Sequence, residues 1–208
     1  MDGNFILDKI EEMVKPHKGI WEDPFRVLIT GIMSTRTRDE VTDRASLRLF
    51  CVYPTIEKLS LSTPLEVEKL IKPVGFYKIK SKDIVETSKK IFKEYKGKVP
   101  NTMEKLLELP GVGRKVASIV LSYGFGIEAL AVDTHVQRVS HRIGLSASTR
   151  PEMTEKILKR KIDRRRWNEV NSYFVSFGKI ICRPTNPRCS ICHLRKYCKY
   201  WRKLEDSS

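Results

Sequence analysis

Four cysteines near the C-terminal end of the chain form its most compact set of potential metal ligands. Cys182, Cys189, Cys192 and Cys198 follow the spacing Cys-x6-Cys-x2-Cys-x5-Cys, whereas the fifth cysteine, Cys51, lies far from them in sequence. Thiolates this close in sequence can converge on one inorganic centre, and a cubane iron–sulfur cluster uses four such ligands. Structural zinc sites usually show two separated Cys-x2-Cys pairs. The spacing therefore favours a cluster and leaves zinc as an alternative.

A second group of residues that could take part in chemistry is the run Leu-Pro-Gly-Val-Gly-Arg-Lys at 109–115. Gly111 and Gly113 permit a tight turn, because neither carries a Cβ atom. A helix predicted from about Arg114 would direct its unpaired N–H groups toward this turn. Such a helix N-terminus suits one DNA phosphate and reads no base. A plain reversal of the chain between two helices would explain the same glycines.

A carboxylate follows in the run Val-Asp-Thr-His at 132–135. Asp133 comes after an apolar stretch and before apolar residues at helical spacing over 136–143, so we predict it to be a helix N-cap. Capping alone would explain an aspartate at this position. A capping carboxylate at the mouth of a cleft can also take part in chemistry.

The charge balance of the chain points to a polyanionic partner. Its 208 residues include 40 Lys and Arg but 25 Asp and Glu, which gives a net charge of +15. A folded chain with this surplus is typical of nucleic-acid-binding proteins, although a solvated lysine-rich surface is the alternative. The sequence has no run of about 18 apolar residues and opens with acidic Met-Asp-Gly-Asn. We therefore expect no membrane association, no secretory signal and a prokaryotic-type, chromosome-associated cytoplasmic protein.

Hydrophobic periodicity predicts helices almost throughout. Apolar residues recur at helical spacing in several segments, among them 4–14, 25–34, 38–50 and 78–95. Pro73 to Tyr77 interrupts this pattern. The segment preceding the glycine turn should begin with Asn101 as N-cap and Glu104 in the capping-box position.

Two further expectations concern single segments. Cys51 lies between apolar neighbours and is predicted to be a buried small residue. The C-terminal stretch 199–208 is predicted to be frayed.

The three motifs occur together in one order, and in this combination the chain resembles the endonuclease III family of helix–hairpin–helix DNA glycosylases. The resemblance covers about Ile6 to Tyr200. It implies an all-α fold of two helical domains that flank a DNA-binding cleft. The first is a six-helix barrel at 20–128, with the helix–hairpin–helix motif at about 103–123. The second joins 1–19 to 129–208 as an iron–sulfur cluster domain.

The resemblance also implies roles for individual residues. Lys115 matches the family's nucleophile, and Asp133 matches its electrostatic and acid–base partner. An amine that attacks C1′ of a damaged nucleotide forms a Schiff base, and a carboxylate stabilises the positive charge that develops at C1′. The amine must be unprotonated to attack, so Asp133 is assigned as its proton acceptor. The four C-terminal cysteines match the family's [4Fe–4S] ligands.

DNA contacts follow from the same resemblance. An extruded base leaves a vacancy in the stack, and Phe76 occupies the place of the family's apolar wedge, with core packing as its alternative. Arg36 stands where bacterial relatives carry a second, glutamine filler, and this departure puts the opposite-base preference in doubt. The other implied contacts, mostly to phosphate, are Gly111, Gly113, Arg114, His135, Arg183 and Arg188.

The function implied is a bifunctional DNA glycosylase and abasic-site lyase that removes oxidised pyrimidines of the thymine glycol type. Its partner would be double-stranded DNA with a damaged base or abasic site, and a monomer is expected. A mismatch glycosylase for thymine or uracil opposite guanine is the alternative, because the family's glutamine is missing. A non-catalytic iron–sulfur DNA-binding protein is a remote third reading, since it would require neither Lys115 nor Asp133.

Overall fold

In the computed structural model, which describes residues 2–17 and 19–206, the regular elements are all helical. This confirms the predicted all-α fold class. Contacts between Cα atoms divide the chain into two compact units. The first unit comprises Gly19–Ile127, and the second joins the chain before residue 19 to the chain from Glu128 onwards. Within the described ranges, no helix is long and apolar enough to cross a bilayer.

Twelve α-helices lie in the described part of the chain. In order they are α1 Gly3–Glu11, α2 Pro24–Ser34, α3 Asp39–Val52, α4 Ile56–Ser60, α5 Pro64–Ile71, α6 Tyr77–Glu94, α7 Met103–Leu107, α8 Arg114–Ile119, α9 Thr134–Ile143, α10 Pro151–Lys161, α11 Trp167–Ile180 and α12 Lys199–Glu205. A π-helical turn at Val120–Gly124 continues α8. Short 3₁₀ turns occupy Arg164–Arg166, Cys189–Ile191 and Arg195–Tyr197.

The first unit is built around α2, which contacts α3, α6 and α8. Asp23 caps this helix by accepting the Arg26 N–H at 2.9 Å, and Pro24 occupies its first turn, where proline costs no hydrogen bond. Apolar residues surround most of the helix, so that it is buried on nearly every side. Its fully buried side chains include Leu28, Ile29 and Met33.

The second unit packs α1, α9, α10 and α11 around one apolar core. The largest buried side chains in this core are Phe174 and Phe177 of α11. Ile6 and Ile10, one helical turn apart on α1, face the same core. Leu194 joins it from the cysteine-containing segment, so this segment is anchored to the helices by apolar packing.

Three local predictions were wrong. The N-cap of α7 is Thr102, whose Oγ1 accepts the Lys105 N–H at 3.4 Å, rather than Asn101. Cys51 is exposed because it lies four residues after the exposed Leu47 on the outer face of α3. The C-terminal stretch forms α12 over Lys199–Glu205 and is not frayed there, whereas the prediction for residues 207 and 208 falls outside the described residues.

Candidate active site

The glycine turn connects α7 to α8 and rests on α6. Gly111 has φ of +72°, a conformation that L side chains rarely adopt. A Cβ atom there would also come within 2.8 Å of the Asp83 side chain. The Thr87 hydroxyl donates to the Pro110 carbonyl at 2.8 Å, which fixes the turn to α6. Gly113 is the N-cap of α8, so Arg114 and Lys115 occupy the first turn, where helical N–H groups have no intrahelical acceptor.

Lys115 is half-buried at the start of α8. Its Nζ donates to the Ser34 Oγ at 3.4 Å, and the Ser34 hydroxyl in turn donates to the Gly31 carbonyl at 2.9 Å. Helices α2 and α8 pack so closely that a Cβ at Gly31 would lie 2.9 Å from the Val116 side chain. The amine is therefore held against the last turn of α2. Sequence reasoning did not single out Ser34 for this contact.

Asp133 is the N-cap of α9, as predicted. Its Oδ1 accepts the Val136 N–H at 2.8 Å, and the residue is half-buried. The chain before it is buried from Ala129 to Val132, and the Asn171 side chain donates to the Ala131 carbonyl at 3.2 Å. The carboxylate is thus rigidly placed, and the cap uses one of its two oxygens. Capping and a chemical role are compatible.

His135, one residue into α9, contacts Arg138. The distance from the Arg138 guanidinium to the His135 Nδ1 is 3.2 Å, and the same guanidinium donates to the Gly178 carbonyl at 2.9 Å. Arg138 also donates to the Cys182 carbonyl at 3.2 Å, and burial lowers its pKa. Sequence reasoning missed Arg138, although its position one turn after His135 was a signal for a shared face.

Arg36 and Phe76 lie together on the surface of the first unit. Phe76 is 57% exposed, so the core-packing alternative for it is wrong. The Arg36 guanidinium carbon lies 5.6 Å from the centre of the Phe76 ring, within the range of a cation–π contact. Both residues adopt positive φ, 52° and 59° respectively, which is uncommon outside glycine.

The four C-terminal cysteines line one small pocket of about 20 Å³. No three of the described His, Cys, Asp and Glu side chains lie close enough together to hold one metal ion. Burial raises the pKa of the Cys192 thiol to about 11, whereas a bound metal favours the thiolate. Four cysteines around one pocket are the ligand set that a cubane iron–sulfur cluster uses.

Arg142 of α9 contacts two of the cysteines that line this pocket, Cys182 and Cys198. Its guanidinium approaches the Cys182 Sγ at 3.7 Å and donates to the Pro184 carbonyl at 2.8 Å. Its backbone carbonyl lies 3.3 Å from the Cys198 Sγ. A fixed positive charge beside the sulfurs suits an anionic metal–thiolate centre. Arg142 was also missed by sequence reasoning, which had no motif to mark it.

The loop between the first two cysteines carries the two predicted phosphate-binding arginines. Arg188 is exposed and Arg183 is half-buried. The backbone N–H groups of both donate to the Ile181 carbonyl, at 2.9 and 3.0 Å, which ties the two ends of the loop together. The loop therefore has a defined shape with at least one guanidinium in solvent.

Comparison with known proteins assigns the chain to a family. Residues 29–164 match the HhH-GPD superfamily of base excision DNA repair proteins. Endonuclease III of Thermotoga maritima is 48% identical over 200 residues, covering 95% of this chain and 94% of the relative. The chain belongs to the endonuclease III family. It is therefore a base excision repair DNA glycosylase and abasic-site lyase.

Solved structures agree with this assignment. A trapped covalent intermediate of endonuclease III with DNA superimposes with a TM-score of 0.92 at 31% identity, covering 99% of both chains. A thermostable thymine-DNA glycosylase superimposes with a TM-score of 0.85 at 25% identity, covering 97% of this chain and 95% of that one. The endonuclease III fold accounts for the whole chain, and DNA is the partner of this fold in the trapped intermediate.

Proposed function

We propose that this chain removes oxidised pyrimidines from double-stranded DNA and cleaves the strand at the resulting abasic site, with Lys115 as nucleophile and Asp133 as its acid–base partner. The observation that carries the proposal is the Lys115 amine, which is half-buried and held by the Ser34 hydroxyl in the first turn of α8. A glycosylase that only hydrolyses the base requires no amine there. Covalent adducts with DNA occur in the endonuclease III of the trapped complex.

The chemistry proceeds in two stages. When the base departs with the electrons of the glycosidic bond, C1′ acquires positive charge, which the Asp133 carboxylate stabilises. The Lys115 lone pair forms a C1′–N bond, and Asp133 accepts the proton that the amine loses. The C1′–O4′ bond then breaks, O4′ takes up the proton held by Asp133, and the resulting C1′ iminium acidifies the C2′ proton. When a base removes this proton, a C2′–C3′ double bond forms and the 3′ phosphate leaves with the electrons of the C3′–O bond, so the strand is cleaved on the 3′ side of the abasic site.

The cofactor we propose is a [4Fe–4S] cluster bound by Cys182, Cys189, Cys192 and Cys198. The four cysteines line one pocket, and their spacing favours a cluster, because structural zinc sites usually show two separated Cys-x2-Cys pairs. When bound, the cluster would cross-link the loops around it, as structural metal centres do. The Arg183 and Arg188 loop would then be held in shape for contact with phosphate.

The remaining assignments concern DNA contacts and cellular setting. The glycine turn with Gly111, Gly113 and Arg114 is proposed to bind one phosphate, and Arg36 and Phe76 are proposed to fill the space left by the extruded base. His135 is proposed to support the same interface. The bacterial relatives support a prokaryotic-type cytoplasmic enzyme, and a monomer remains our prediction.

A mismatch glycosylase is the second candidate. Its support is the likeness to a thermostable thymine-DNA glycosylase and Arg36 in place of the family's glutamine. Both candidates extrude a base, but they differ in the base that is removed.

One experiment tests both candidates. The enzyme is incubated with duplexes that contain an abasic site, thymine glycol or a G·T mismatch, and borohydride then reduces any Schiff base to a stable adduct. We expect adducts with the first two duplexes. Lys115→Ala should abolish them, Asp133→Asn should slow their formation by about 10²-fold or more, and Lys93→Ala, at an exposed site on α6, should have no effect. Undiminished cleavage in either active-site variant would refute the roles, and an adduct only with G·T would favour the second candidate.

A further inference from the structure

Lys80 is a nearly fully buried lysine without an assigned function. It lies in the first turn of α6 and is 5% exposed. Its Nζ donates to the Met33 carbonyl at 2.8 Å, to the Thr37 Oγ1 at 3.1 Å and to the Thr35 carbonyl. All three acceptors are uncharged oxygens from the end of α2 and the turn that follows it. Burial lowers the pKa of Lys80 to about 8, because it removes water from around the charged form.

The same contacts join two separate turns. The Thr37 Oγ1 accepts hydrogen bonds from both the Lys80 ammonium and the Gly75 N–H, the latter at 3.2 Å. At Gly75 the chains approach so closely that a Cβ would lie 2.9 Å from the Arg36 carbonyl. Lys80 therefore contacts the turn that carries Arg36 directly, and it is linked to the turn that carries Phe76 through the shared Thr37 hydroxyl.

Each of these turns contains one residue whose backbone adopts an unfavourable positive φ. Arg36 and Phe76 both have positive φ, and such strain persists only where surrounding contacts over-determine it. Their side chains lie in cation–π contact at 5.6 Å and point away from the core, since both residues are exposed. The Lys80 ammonium holds three oxygens of the first turn, and one of them, the Thr37 hydroxyl, also holds the second turn.

We propose that Lys80 is a positioning residue that locks the 33–37 and 74–77 turns together, so that Arg36 and Phe76 enter the DNA as one preassembled pair. This inference rests on the proposed extrusion of a base. A pair that is already ordered loses little conformational freedom on binding. In this arrangement Lys80 contacts neither the DNA nor the reacting atoms. It acts through Arg36 and Phe76, which contact the DNA.

The test compares Lys80→Gln with Lys89→Gln, which removes one charge at an exposed position on the same helix. Each variant is assayed on a duplex with thymine glycol and on single-stranded DNA with an abasic site, where no base has to be extruded from a stack. For Lys80→Gln we expect base release from the duplex to fall at least tenfold and borohydride trapping on single strands to stay within twofold. Lys89→Gln should match wild type on both substrates.

Two further variants keep the proposal falsifiable. Thr37→Val removes the shared hydroxyl with little change in volume and should reproduce the selective loss, even if Lys80→Gln lowers stability. In a Phe76→Ala background, Lys80→Gln should cause less than a twofold further loss, because the pair no longer exists. Equal losses on both substrates, or full additivity with Phe76→Ala, would overturn the proposal. Absence of trapping by the wild-type enzyme on either substrate would instead overturn the proposed function.

Discussion

Lys115 depends on a hydroxyl that no sequence motif identifies. The Ser34 hydroxyl accepts a hydrogen bond from the Lys115 Nζ at 3.4 Å and donates one to the Gly31 carbonyl. A hydroxyl in this position can orient the amine toward C1′ and accept one of its hydrogens. At the residue scale, placement of the proposed nucleophile therefore depends on two helices, α2 and α8.

Replacing Ser34 with alanine should slow formation of the Schiff base. A single hydrogen bond contributes about 1 kcal/mol, so we expect a roughly fivefold to tenfold lower rate of borohydride trapping on abasic DNA. The matched control is Ser60→Ala, because the Ser60 hydroxyl bonds to the carbonyl three residues earlier, at 2.7 Å, in the same way. Equal rates for the two variants would show that Ser34 has no part in placing the amine.

The cysteine segment, residues 182–198, is held in place by contacts with residues outside it. Its short 3₁₀ turns at Cys189–Ile191 and Arg195–Tyr197 have little stability of their own. Leu194, between the two turns, packs in the apolar core, and Arg142 contacts Cys182 and Cys198 at the two ends of the segment. A metal centre would add covalent links among four points of this segment.

We expect the purified protein to contain about four iron atoms and four sulfides per chain, with the visible absorption of a [4Fe–4S] cluster. Cys198→Ser should lose iron, and hydrogen exchange should accelerate over 182–206, because the cross-link is gone. Cys51→Ser, at an exposed cysteine on α3, should retain the full iron content. Stoichiometric zinc without iron would contradict the assignment.

At the scale of the whole molecule, the net charge of +15 predicts electrostatic attachment to DNA. Each phosphate that a basic residue neutralises releases counterions, so affinity falls as salt rises. Between 50 and 200 mM salt we expect binding to undamaged duplex DNA to weaken by about 10³-fold or more, as for proteins that contact at least six phosphates. Fluorescence anisotropy measures this slope, and a change below tenfold would indicate a merely solvated lysine-rich surface.

The sequence by itself determined the features that depend on local chemistry. Helical periodicity, the glycine turn, the Asp133 cap and the cysteine spacing all predict structures that a few neighbouring residues can stabilise. For this reason the all-α class, the start of α8 at Arg114 and the cap of α9 were confirmed. The mistakes were local as well: Asn101 and Thr102 are adjacent capping residues that composition cannot separate, and the burial of Cys51 depends on which face of α3 meets the core.

Only the tertiary structure decided the contacts between residues distant in the chain. Ser34 meets Lys115 across 81 positions, Lys80 reaches Met33 across 47, and Arg142 approaches Cys182 across 40. Such pairs form because apolar packing brings whole helices together, and no local pattern records which polar side chains then become neighbours. The order of residues thus identifies the proposed reactive groups, whereas the packing of the helices decides which residues surround and orient them.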